Sequence, residues 1–79
     1  MPASEIKRIV GENVARVRRE RGLSQEALAD RCGHGQQYLS ALERGRLNPT
    51  IVTLYQIAQA LQVPLVDLVA SPLQRPSVT

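Results

Sequence analysis

Residues 36 to 48, "QQYLSALERGRLN", hold the side chains best suited to chemistry in this chain. Gln36 and Gln37 each carry an amide donor and acceptor side by side, the pattern that complements N6 and N7 of adenine. A guanidinium such as Arg44 complements O6 and N7 of guanine, or a phosphate. If 36 to 44 is helical, a step of about 100° per residue puts Leu39 and Leu42 on one side. Gln37, Ser40, Ala41 and Arg44 gather on the other, with Gln36 at its edge. Small Ser40 and Ala41 allow close approach, and amides at the N-terminal end of a short helix sit where a helix entering the major groove meets base edges first. In isolation a Gln-Gln pair usually means a solvated helix start, so the weight rests on what surrounds it: the tight turn, the paired leucines and the basic loop.

Other chemistries find no support. One histidine, His34, and one cysteine, Cys32, cannot supply the three or four ligands of a zinc site. No Ser/His/Asp, metal-ligand or phosphate-loop constellation is recognisable, so no enzyme, metal or cofactor is expected. His34 reads as a half-buried filler of a turn or a neighbour of a phosphate, and Cys32 as a small, inert, buried side chain.

Five helices must position the amides. Ile6, Val10, Val14 and Val17 recur at helical spacing, predicting helix one over 5 to 21 with Ser4 as its cap and Gly22 at its end. Ser24 caps helix two, about 25 to 32, which turns Leu28, Ala29 and Cys32 inward. Gly33 stops it, "GHG" leaves room for a sharp turn only, and helix three runs to about 44, ended by Gly45. Asn48-Pro49-Thr50 is a stop and a cap. Ile51, Leu54, Ile57, Ala58 and Leu61 form the inward stripe of helix four, and Pro64 opens a short helix five, Leu65 to about Ala70. The reading is thus all-α, a five-helix domain over 1 to 70, followed by a loose, proline-containing tail over 71 to 79.

Composition agrees. The 79 residues are 43% apolar but only 3% aromatic, which suits an aliphatic helical core, and a chain this short gains from a second subunit. Nine of the ten basic residues precede residue 50, whereas 50 to 70 holds one charge, Asp67. This layout fits a surface for an anionic partner, and equally an ordinary solvated one. The lone cysteine fits a reducing, cytoplasmic setting. No 18-residue apolar run or secretory signal is present, so no membrane partner is expected.

From Asn13 to about Val69 the chain resembles the Cro and phage-repressor type of helix-turn-helix, the XRE family. The resemblance is carried by "RGLSQEALA" at 21 to 29, "YLSALERGRLNPT" at 38 to 50 and "LYQIAQALQVPLVDLV" at 54 to 69. It implies a lambda-repressor-like fold with helices two and three forming the helix-turn-helix, and double-stranded DNA as partner. Gln36, Gln37, Ser40 and Ala41 then stand at base-reading positions. Gln25 would bind a phosphate and brace the start of helix three, while Arg44, Arg46 and Asn48 would follow the sugar-phosphate backbone. Glu43 and Arg18 lie on core-facing flanks of their helices, where an unpaired charge is costly. The resemblance implies that they form a salt bridge clamping helix three. Two positions depart from the pattern: His34 replaces a small aliphatic residue, and Gly35 replaces the usual Ser or Thr cap.

After helix four's inward stripe is assigned, Val52 and Tyr55 remain on another face, and helix five has more apolar residues than one buried side can use. Val52, Tyr55, Val66 and Val69 are therefore expected at a homodimer interface. A transcription regulator of repressor or restriction-modification controller type, binding a palindromic operator, is the reading that follows. The rival is an antitoxin or other interaction module whose main partner is a protein.

Overall fold

The computed structural model describes residues 1–72 and contains α1 (Ala3–Glu20), α2 (Gln25–Cys32), α3 (Gln36–Glu43), α4 (Ile51–Leu61) and α5 (Val66–Val69), with no strand among those residues. The tail expected over 71 to 79 lies outside the described residues from 73 onward. Hydroxyl caps open two of the helices: Ser24 Oγ accepts from Ala27 N at 3.0 Å, and Thr50 Oγ1 accepts from Thr53 N at 3.1 Å.

The end of α3 is set by Gly45. Its φ of 74° is one that only glycine adopts freely, and it lets Gly45 N donate to Leu42 O at 3.0 Å while Arg46 N donates to Ala41 O at 3.1 Å. The chain therefore leaves α3 in one direction, and the following loop inherits a fixed start.

Leu28, Leu39, Leu42, Ile57, Leu61, Leu68 and Val14 are the largest fully buried side chains, and each contributes about 1.5–3 kcal/mol by leaving water. They come from all five helices, so α3 is held by its leucines rather than by its own eight residues, too few for a stable helix alone. Helix α1 packs on α3 and α5, and α2 on α3 and α4.

Several boundaries and faces differ from expectation. Helix α1 begins at Ala3 with Pro2 at the N-cap; Ser4 lies inside the first turn and caps nothing, because Pro2 O already accepts from Glu5 N and Ile6 N. Ile6 is 47% exposed and Ile51 57% exposed, although both fit the apolar stripes. Each sits in the first turn of its helix, ahead of the level at which Ile9 and Leu54 become buried. Helix α3 stops at Glu43, with Arg44 as its C-cap. Helix α5 is only Val66–Val69, Leu65 occupying the N-cap. Cys32 is half-buried rather than buried, its Sγ lying 3.9 Å from Ala29 O at the end of α2.

Candidate nucleic-acid interface

Helix α3 has two unlike sides. Leu39 and Leu42 are wholly buried, whereas Gln36, Gln37 and Arg44 are exposed and Ser40 and Ala41 half-exposed. The polar side is therefore a free surface carrying two amides, two small residues and one guanidinium. Arg44 Nε donates to Ser40 O at 3.2 Å, which lays its stem along the helix and leaves its terminal nitrogens unused by that bond. Arg46 and Asn48 are exposed in the loop that follows.

Beneath this surface a charged cluster ties α3 to the rest of the molecule. Arg18 Nε donates to Glu43 Oε2 at 2.7 Å and Arg18 Nη2 to Glu43 Oε1 at 2.9 Å, a two-bonded fork of the strong, charge-assisted kind. The two side chains are only 11% and 6% exposed. Arg18 Nη1 also donates to Leu23 O at 2.8 Å, so one guanidinium joins α1, the turn after it and the last residue of α3. Hydrogen bonding to Glu43 raises the Arg18 pKa above its ordinary value, outweighing the lowering by burial, and coulombic attraction adds to the rise.

Gln25 belongs to the same cluster. Its Nε2 donates to Glu43 Oε1 at 3.0 Å, so it braces the end of α3 and not the start, as the resemblance had suggested. The carboxylate draws it there because Glu43 Oε1 keeps room for a second donor beside Arg18. One hydrogen of the Gln25 amide remains for another acceptor.

Three contacts that sequence reasoning missed complete the frame. A Cβ on Gly11 would strike Leu42 O and lie 2.8 Å from Glu43 O, so α1 and α3 touch backbone to backbone there. A Cβ on Gly45 would lie 3.0 Å from Arg8 Cα, which sets the loop start against the first half of α1. Buried Asn13 donates through Nδ2 to Leu68 O at 3.1 Å and Ala70 O at 2.9 Å, fastening α5 to α1. A glycine in mid-helix was a visible signal at position 11, since it costs about 1 kcal/mol against alanine and wants a packing reason. Asn13 gave no such signal, its acceptors being more than fifty residues away.

His34 lies half-buried in the turn between α2 and α3. Away from α3, Val52, Tyr55, Val66 and Val69 are all 42–61% exposed, and Ile51 joins them at the start of α4. None of the helices among the described residues is long and apolar enough to cross a membrane.

A short helix braced at a sharp turn, with its polar side free, is a helix-turn-helix. The model of the helix-turn-helix family HTH_3 matches residues 14–68. The chain belongs to that family. It is 58% identical over 65 residues to an uncharacterised HTH-type transcriptional regulator of Sinorhizobium fredii, covering 82% of this chain and 84% of the relative. The crystal structure of a hypothetical transcription factor from Neisseria superposes with a TM-score of 0.85 at 32% identity, over 95% of this chain and 86% of that one. The restriction-modification controller protein C.AhdI from Aeromonas hydrophila superposes with a TM-score of 0.76 at 32% identity, over 78% and 94%. The chain is thus an all-helical transcription regulator of the helix-turn-helix type.

Proposed function

We propose that the chain is a sequence-specific, cytoplasmic regulator that binds double-stranded DNA as a homodimer at a palindromic operator, as a repressor or a controller of restriction-modification type. The observation that carries this is the free polar side of α3, Gln36 and Gln37 exposed at its leading end while Leu39, Leu42 and the Glu43 cluster hold its other side still. Gln36, Gln37, Ser40 and Ala41 read bases from that side. Gln25, Arg44, Arg46 and Asn48 flank it with donors for phosphate oxygens, which set register without reading sequence.

One such module covers on the order of 600–1,000 Å² of its surface on DNA, little for selecting a site in a genome, so a second copy is needed. The apolar side chains exposed on α4 and α5, Val52, Tyr55, Val66 and Val69, are the surface we assign to it, and their exposure supports that assignment. The half-sites then lie about one helical turn, ~34 Å, apart.

Selection of duplexes from a random-sequence pool by the full chain tests the proposal. Enriched sites should be two-fold symmetric, and with six or more phosphate contacts affinity should fall by about 10³ between 50 and 200 mM salt. Gln37→Ala should relax preference at one base position per half-site, and Arg46→Ala should weaken all sequences alike. A pool without enrichment, or the two variants exchanging these effects, would refute it.

A further inference from the structure

Helix α3 starts without the cap that opens α2 and α4. Ser24 and Thr50 each accept a backbone N–H from their helix, but Gly35 at the N-cap of α3 has no side chain to do so. The turn before it is flanked by Gly33, with φ of 78°, and Gly35. Two glycines within three residues and no side-chain cap leave this turn few restraints of its own, and it leads directly into Gln36 and Gln37.

His34 restrains it from two sides. Its Nε2 lies 3.0 Å from Gln56 Oε1 on α4; an amide oxygen only accepts, so the ring nitrogen is the donor. Its ring stacks on Tyr38, centroids 5.0 Å apart and planes inclined by 22°. Tyr38 is the third residue of α3 and packs against the core. One imidazole thus fixes the turn to α4 and to the first turn of α3, bracketing both glutamines.

We infer that His34, held by Gln56 and Tyr38, is a positioning residue that aims the leading amides of α3 at the bases. It accepts no backbone N–H as a cap would, but it supplies a restraint at the start of α3 that Gly35 lacks. The inference rests on the base-reading role proposed for α3. Its physical basis is that a side chain loses discrimination when its backbone is free to move by about an ångström, because the paired donor and acceptor must meet a base edge together. Non-specific affinity depends on the backbone-contacting groups and should be unchanged.

The test uses the full chain, a duplex selected by the wild-type protein from a random pool, and a scrambled duplex of equal length. The ratio of the two affinities is read for His34→Ala, Gln56→Ala and, as benchmark, Gln37→Ala, with a thermal melt of each. Gln56 is exposed on α4, so its truncation removes the hydrogen bond without a cavity. His34→Ala should lower the ratio by about tenfold, in the lower part of the range for one bidentate base contact, with scrambled-duplex affinity unchanged. Gln56→Ala should lower the ratio in the same direction, and the double variant should lose less than the product of the two. His34→Phe, which keeps the stack, should recover part of the loss.

An unchanged ratio in both His34→Ala and Gln56→Ala, with Gln37→Ala impaired, overturns the positioning role and leaves the base-reading proposal standing. Equal losses on both duplexes with a shallower salt slope would make His34 a phosphate contact and equally overturn it. If Gln37→Ala also leaves the ratio intact, the base-reading proposal fails and this inference with it.

Discussion

Replacing Glu43 with alanine should be the most damaging truncation of a polar side chain in α3, and the structure gives its size. The carboxylate accepts from Arg18 Nε, Arg18 Nη2 and Gln25 Nε2. Removing it leaves a guanidinium that is 11% exposed with Leu23 O as its remaining partner, at 2.8 Å. Orphaning one member of a buried pair costs about 3–5 kcal/mol, and the surviving bond places this case near ~3 kcal/mol. For a chain of 79 residues the whole folding free energy is about 4–12 kcal/mol, so a quarter or more of it is at stake. The melting temperature should fall by about 12–24 °C, followed by far-ultraviolet circular dichroism with a matching urea titration. Arg18→Met combined with Glu43→Leu should melt above Glu43→Ala, because an apolar pair leaves no buried charge alone. Because the Arg18 pKa is raised in the folded state, its contribution is complete throughout the neutral range and is lost as pH rises through the guanidinium's own titration. A Glu43→Ala loss under about 1 kcal/mol, the size expected of an exposed pair, would refute the clamp.

Other perturbations probe the rest of the frame. Gly11→Ala should destabilise by about 1–3 kcal/mol in a urea titration, because the new methyl meets the carbonyls of Leu42 and Glu43, although alanine favours a helix by about 1 kcal/mol; a more stable variant would contradict the close approach. Asn13→Ala leaves the Leu68 and Ala70 carbonyls without their donor and should cost about 1–3 kcal/mol, with hydrogen exchange speeding up in α5 before α3. Tyr55→Asp should weaken self-association by about thirtyfold or more in analytical ultracentrifugation while leaving the melting curve of the subunit unchanged, since Tyr55 is 54% exposed.

Much of the helical frame could be read from local rules, and the reasons for the remainder are physical. The stripes through Val10, Val14 and Val17 and through Leu54, Ile57 and Leu61 mark buried faces, and Ser24, Gly33 and Thr50 mark helix ends. Periodicity cannot tell where along a helix its partners begin, which is why Ile6 and Ile51 fit their stripes yet face solvent. Ser4 looks like a cap by type, but Pro2 starts the helix two residues earlier. On the polar side of α3 the wheel separates Leu39 and Leu42 from Gln37, Ser40, Ala41 and Arg44, since one helix suffices to define both sides. What holds that helix and α5 in place comes from elsewhere in the chain: the close approach at Gly11 and the bond from Gln25 to Glu43 for α3, and the bonds of Asn13 for α5, join atoms 18 to 57 residues apart, beyond the reach of spacing rules.

The eight residues of α3 set a limit on how much information one subunit can extract. At 1.5 Å per residue the helix is about 12 Å long, and at 3.4 Å per step it lies against about three or four base pairs. Each fully specified pair carries two bits, so with α3 reading bases as proposed one copy collects at most about seven bits and meets its word by chance roughly once in a hundred base pairs. The proposed dimer would double the word, and the chance recurrence would fall to about once in ten to twenty thousand. The vocabulary of such a regulator is therefore set by helix length and copy number together, and a longer word has to come from further copies or from the shape of the DNA between them.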